Sequence, residues 1–250
     1  MTTAASSSIS AEIDDTVEKY MPFILEIRKR LFFIVSVFLI ASVLGFMYYE
    51  RVIKLVLVIF NLEGVNIVFT SPFQFLTLAV TSGFLVGLTL VFPLILYQII
   101  AFLRPALKKG EFRMVVSLLP VGLMLFVGGF SFGIAMMRYV LVIFYTRSQA
   151  LDIGNFLDVS RLLSQILVTA VLMGLAFQLP IILTILIRLG IIKYADVVKK
   201  RALAYALSLI FAALLPPTDL VSLVFLFLPI ALLFEITLLF NRFALKSHLL

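Results

Sequence analysis

The stretch FLRPALKKGEFR, residues 102–113, separates two long apolar runs and carries four cations and one acid. Upstream, forty residues between Glu63 and Arg104 bear no charge; downstream, residues 114–137 bear none either. An ion in the hydrocarbon core is so costly that charge-free runs of this length read as membrane spans, and a short basic segment between them reads as a loop at the membrane surface. The acid, Glu111, has no part in that topology signal.

Working outward, the same rule divides the chain into six apolar segments at about 31–49, 73–102, 114–137, 162–187, 202–215 and 221–240. Ser71-Pro72 marks the start of the second. With 63% hydrophobic and 13% charged residues, the chain reads as an all-α polytopic membrane protein. Residues 1–21 form a polar, mobile tail with no basic n-region, so no cleavable signal is expected. Residues 22–242 form the membrane domain, and residues 243–250 a second tail. The fifth segment, ended by Pro216-Pro217, is about 21 Å long as a helix, against roughly 30 Å of hydrocarbon.

Six segments place both termini on one side. Fifteen Lys and Arg fall on that side, and only Arg51, Lys54, Arg138, Arg147 and Arg161 on the other. The positive-inside rule therefore predicts both termini to be cytoplasmic. The same asymmetry accounts for the net charge of +7, so nucleic acid is not implied. There is no Cys, and the one His is His248; thiolate or imidazole catalysis and the usual metal sites lack their residues, so no catalytic residue, metal or cofactor is expected.

Within the spans, Pro93 and Pro180 are expected to kink their helices. Gly83 and Gly87, like Gly129 and Gly133, stand in GxxxG spacing, which permits close helix approach. Gln178, Asp219 and Glu235 are the strongly polar side chains at or near membrane depth. Each has a plain reading: an interhelical hydrogen bond for Gln178, a helix cap for Asp219 and a reach to the headgroups for Glu235. Each is also a candidate for a partner contact. Asp158 or Ser160 is a candidate N-cap. On the basic side, Glu26 has the spacing of an i, i+4 pair with Arg30, and Glu111 that of a solvated loop acid.

Taken in order, ILEIRKRL (24–31), FPLILYQIIAFLRPALKKGEFR (92–113), GLAFQLP (174–180), PPTDLVS (216–222) and LFEI (233–236) resemble the TatC family, the multispanning core subunit of the twin-arginine protein translocase. The resemblance covers about residues 22–242. It implies six transmembrane helices in a concave cup, with helices five and six short. It also implies a bacterial cytoplasmic-membrane location and export of folded cargo on the proton-motive force.

The family's signal peptides carry consecutive arginines, and carboxylates are the natural receptors for guanidinium groups. Glu26 and Glu111 match the family's acids, and Arg28, Phe102, Pro105 and Leu107 match the surrounding surface. Implied partners are single-span subunits of the TatA and TatB type, twin-arginine signal peptides, further copies of the chain in a receptor complex, and membrane lipid. Gln178 stands where the family usually has Glu, Ile59 replaces a usual Pro, and PPTD replaces TPPD. A secondary transporter for a small solute is the alternative, since kinked helices and a buried Gln suit one.

Overall fold

The computed structural model describes residues 2–60, 66–68, 71, 73–150, 156–216 and 219–246. Pro72, Gly154, Pro217 and His248 lie outside these residues. The described chain is helical apart from one small strand pair. In order it comprises α1 (Thr2–Met47), α2 (Tyr49–Phe60), β1 (Asn66–Val68), α3 (Gln74–Leu103), a 3-10 turn (Arg104–Ala106), α4 (Lys109–Ala150), β2 (Phe156–Asp158), α5 (Val159–Ala176), α6 (Leu179–Arg188), α7 (Tyr194–Lys199), α8 (Arg201–Leu214) and α9 (Leu220–Lys246).

Five stretches are long and apolar enough to cross a membrane: Ile24–Met47, Gln74–Leu103, Lys109–Phe144, Ser160–Arg188 and Leu220–Phe243. The apolar helix Arg201–Leu214 is too short to do so upright.

Four features differ from the sequence expectations. Residues 2–21, expected as a polar tail, are helical: α1 is continuous from Thr2 into the first span. α4 continues past the expected segment end at residue 137 through YVLVIFY (139–145) to Ala150, because nothing from Arg138 to Ala150 breaks the helix. The last helix is not short: α9 has 27 residues and carries Pro229 inside it. It extends through Glu235 because that carboxylate finds partners on α8, described below. Finally, β1 and β2, which precede α3 and α5, pair in parallel, with Asn66, Ile67 and Val68 facing Phe156, Leu157 and Asp158. Three-residue strands carry no periodicity that a sequence could show.

Pro93 and Pro180, both expected to kink their helices, act differently. α3 runs through Pro93 uninterrupted. Near Pro180 the span is broken, with α5 ending at Ala176 and α6 starting at Leu179. A proline ring collides with the carbonyl four residues earlier, here that of Ala176, so the helix ends there and Pro180 sits in the first turn of α6.

Small residues set the helix crossings. A Cβ on Gly133 would lie 2.7 Å from Ala170 Cα, and one on Gly129 would lie 2.6 Å from the Met173 carbonyl. Gly83 would meet the Ser42 carbonyl at 2.8 Å. Both GxxxG pairs are therefore at contact faces, α4 on α5 and α3 on α1. One core cluster, including Val56, Leu78, Leu85, Met137 and Ile166, joins α2, α3, α4 and α5. A second, including Met136, Met173, Ala212, Leu226 and Ile230, ties α8 and α9 to α4 and α5.

Candidate functional site

The carboxylate of Glu26 lies on α1 one turn before Arg30. Its Oε1 accepts from Arg30 Nε at 3.0 Å and from Nη2 at 2.6 Å. The guanidinium also crosses to the end of α3, where Nη1 donates to Gln98 Oε1 at 2.7 Å and Nη2 to the Ala101 carbonyl at 3.4 Å. Arg30 thus orients Glu26 and fixes it to α3 just before the 3-10 turn. Both side chains are partly exposed, 25% for Arg30 and 37% for Glu26. An exposed i, i+4 pair contributes only about 0.3–0.5 kcal/mol, so a second guanidinium can take over Glu26 at small cost.

Glu111 stands in the first turn of α4 and is half-buried. Its Oε2 accepts the backbone N–H of Lys108 at 2.9 Å. This is the reach-back half of a capping box, with the acid three residues after the N-cap position. One oxygen caps the helix and the other, Oε1, forms no hydrogen bond within the described residues. The acid therefore has a structural role that the loop reading missed. The motif x-K-K-G-E could have revealed it, although the usual Ser or Thr at the cap is absent.

At the start of α4, Arg104 lies over the Phe112 ring at 5.7 Å from its centroid. Arg104, Leu107, Lys109, Phe112, Arg113 and Val116 enclose a shallow cavity of about 540 Å³. Leu107 is in its wall, Pro105 is exposed in the 3-10 turn, and Phe102 is half-buried at the end of α3. Arg28 is exposed on α1. All these residues lie at one end of the helix set formed by α1, α3 and the start of α4.

The deeper polar residues are dispersed. Gln178 is buried at the α5–α6 break; its Nε2 donates to the carbonyls of Gly122 at 3.1 Å and Gly174 at 3.4 Å, and its Oε1 has no partner among the described residues. Both bonds require a donor, which an ionised Glu could not supply. Asp219 caps α9, accepting from Ser222 N at 2.9 Å and Ser222 Oγ at 2.6 Å. Glu235 accepts from the Tyr205 hydroxyl, and Arg201 Nε lies 3.7 Å from its Oε1. Asp158 caps α5 through Arg161 N at 3.0 Å and accepts from Gln74 Nε2 at 2.6 Å.

Sequence reasoning missed Asn241, which is fully buried and donates to Thr184 Oγ1 at 3.0 Å and to the Thr237 carbonyl at 2.9 Å. It falls one residue past the last apolar segment, 221–240, so a search confined to that segment passes over it. Tyr205 was missed because a Tyr in an apolar run gives no sign of its hydroxyl's partner. Among the described residues no group of three or more His, Cys, Asp or Glu could hold a metal ion.

Several helices of spanning length, with their ionisable residues gathered at helix ends, define a multi-pass integral membrane protein. The family model for the Sec-independent protein translocase protein TatC matches residues 22–229. The chain is 32% identical to the Sec-independent protein translocase protein TatCy of Bacillus subtilis, covering 90% of this chain and 89% of that one. It is 31% identical to TatC of Escherichia coli O6:H1, covering 92% and 90%. The crystal structure of a twin-arginine translocase receptor TatC in DDM superposes with a TM-score of 0.78 at 26% identity, covering 87% of this chain and 98% of that one.

The chain belongs to the TatC family of protein translocase components. These relatives are named as translocase proteins, and a small-solute transporter is not favoured. Family membership implies assembly with other translocase subunits.

Proposed function

We propose that this protein is the core receptor of a twin-arginine translocase in a bacterial cytoplasmic membrane. Its membrane domain, residues 22–242, comprises six spans in a concave cup with both termini cytoplasmic. The fifteen cations then lie on the cytoplasmic face, and the carboxylates of Glu26 and Glu111 lie among them. Folded precursors dock there through the consecutive arginines of their signal peptides, with no bond made or broken. Single-span subunits of the TatA and TatB type and further copies of the chain complete the complex, and the proton-motive force drives export.

The observation that carries this reading is the state of the two acids. Glu26 already holds a guanidinium, Arg30, in a pair weak enough to exchange, and Arg30 retains Gln98 and the Ala101 carbonyl when displaced. Glu111 keeps one carboxylate oxygen for a ligand after capping α4. Two arginines can therefore be taken by charge-assisted hydrogen bonds on a face that otherwise repels cations. Arg28, Phe102, Pro105 and Leu107 supply the surrounding surface. Gln178, Asp219 and Glu235 are taken as partner contacts within or near the membrane, and Pro93 and Pro180 as the shapers of their spans.

The test is export of a folded reporter in cells whose only TatC-type protein is this chain. A reporter with consecutive arginines is exported, and the same reporter with Lys-Lys stays inside; export of neither, or of both equally, contradicts the reading. Orientation is tested separately by reporters fused at Gly154 and at the C-terminus. The first is expected outside and the second inside, and a cytoplasmic Gly154 overturns the topology.

A further inference from the structure

A second cavity, of about 680 Å³, lies where the chain passes from α6 to α8. α6 ends at Arg188 and is followed by Gly190, whose φ of 70° suits a residue without Cβ, and the Ile191 N–H folds back to the Leu186 carbonyl at 3.0 Å. That turn sends residues 191–193 over the end of α8. Lys193 immediately precedes the six-residue α7 and Lys200 immediately follows it, and both lysines line the cavity.

The cavity wall is apolar, with Leu183, Leu203, Leu207 and Phe234. Leu203 and Leu207 are 56% and 58% exposed, and they continue the wall down the outside of α8. Among the described residues neither lysine forms an ion pair. Asp196 shares the rim and Glu235 pairs with Arg201, two carboxylates against five cations between positions 188 and 201: Arg188, Lys193, Lys199, Lys200 and Arg201.

We propose that this cavity binds an anionic phospholipid, with its phosphate between Lys193 and Lys200 and an acyl chain along Leu203 and Leu207. The charge and the apolar wall each select part of the ligand. A zwitterionic lipid gains the wall but little from the lysines, and free phosphate gains the lysines but not the wall. Basic pockets beside membrane helices favour anionic headgroups for the same reason, by about 1 kcal/mol per cation near the surface. α8 is too short to cross the hydrocarbon upright, which brings both lysines to headgroup depth while its leucines contact the chains. The site is separate from the Glu26 and Glu111 surface, and the inference does not depend on the receptor reading.

The test is native mass spectrometry of the full-length protein in detergent, titrated with dioleoylphosphatidylglycerol or dioleoylphosphatidylcholine. The anionic lipid is retained preferentially. Lys193→Gln and Lys200→Gln each lower that preference about fivefold, and Asp196→Asn raises it. The double control Lys29→Gln, Lys54→Gln, which removes two cations elsewhere, leaves it unchanged. Inorganic phosphate alone does not displace the lipid. Equal retention of the two lipids overturns the proposal, as does an effect of the control variant matching that of the site variants. Displacement by phosphate also overturns it, in favour of a simple anion site.

Discussion

Replacing Glu26 and Glu111 together by glutamine weakens binding of a twin-arginine signal peptide by about a hundredfold or more. Each carboxylate is assigned one guanidinium, and a hydrogen bond to a charged group contributes about 1.5–3 kcal/mol, against 1.4 kcal/mol per tenfold in affinity. The fold survives, for identifiable reasons. Glutamine keeps a carbonyl oxygen for the Lys108 N–H at the start of α4, and Gln is an accepted partner in a capping box. On α1, Arg30 keeps Gln98 and the Ala101 carbonyl when the charge of Glu26 is gone. Binding measured by fluorescence anisotropy, alongside thermal unfolding in detergent, separates the two effects. Unchanged affinity in the double variant removes both acids from the receptor role, and a large fall in stability without a change in affinity makes them purely structural.

The second large effect is on stability, at the crossing of α4 and α5. Gly129→Ala with Gly133→Ala destabilises the protein by about 2–5 kcal/mol, as overpacking a close contact does. The new methyl groups would sit 2.6 Å from the Met173 carbonyl and 2.7 Å from Ala170 Cα, and both obstacles are backbone of α5, which cannot step aside as a side chain can. Gly128 is an internal control, since a Cβ there meets nothing within 4 Å. Thermal unfolding in detergent is expected to show a clear loss for the double variant and none for Gly128→Ala. Equal behaviour of the two would mean that α4 and α5 do not approach as closely as described.

The helix crossings were legible because GxxxG has a direct steric meaning, and both pairs do lie at contacts. The short Arg201–Leu214 helix was legible because the basic cluster before it and the Pro216-Pro217 pair after it bound an apolar run of fixed length. The length of α9 was largely legible as the apolar segment 221–240, Glu235 included, whereas the partners of Glu235, Tyr205 and Arg201 thirty or more residues earlier, were not. Nor was the complete break before Pro180. A proline states that a helix is perturbed, while neighbouring helices decide whether the helix continues, as through Pro93, or ends, as at Ala176.

At the candidate site, the pairing of Glu26 with Arg30 follows from i, i+4 spacing on one helix. The reach of the same guanidinium to Gln98 is a contact across 68 positions, and no local pattern encodes it. Gln178 shows the limit most clearly. The sequence indicates that a titratable group is missing there, while the structure adds that the amide donates to two carbonyls and therefore works as a donor.

The central claim is that the Glu111 end of the protein reads paired arginines. It is tested most directly by site-specific photocrosslinking from a photoreactive residue placed at Lys109, which lines the cavity beside Glu111. A precursor carrying consecutive arginines is expected to crosslink, and the same precursor with Lys-Lys is expected to do so weakly or not at all. Equal crosslinking of both, or of neither, would contradict the account.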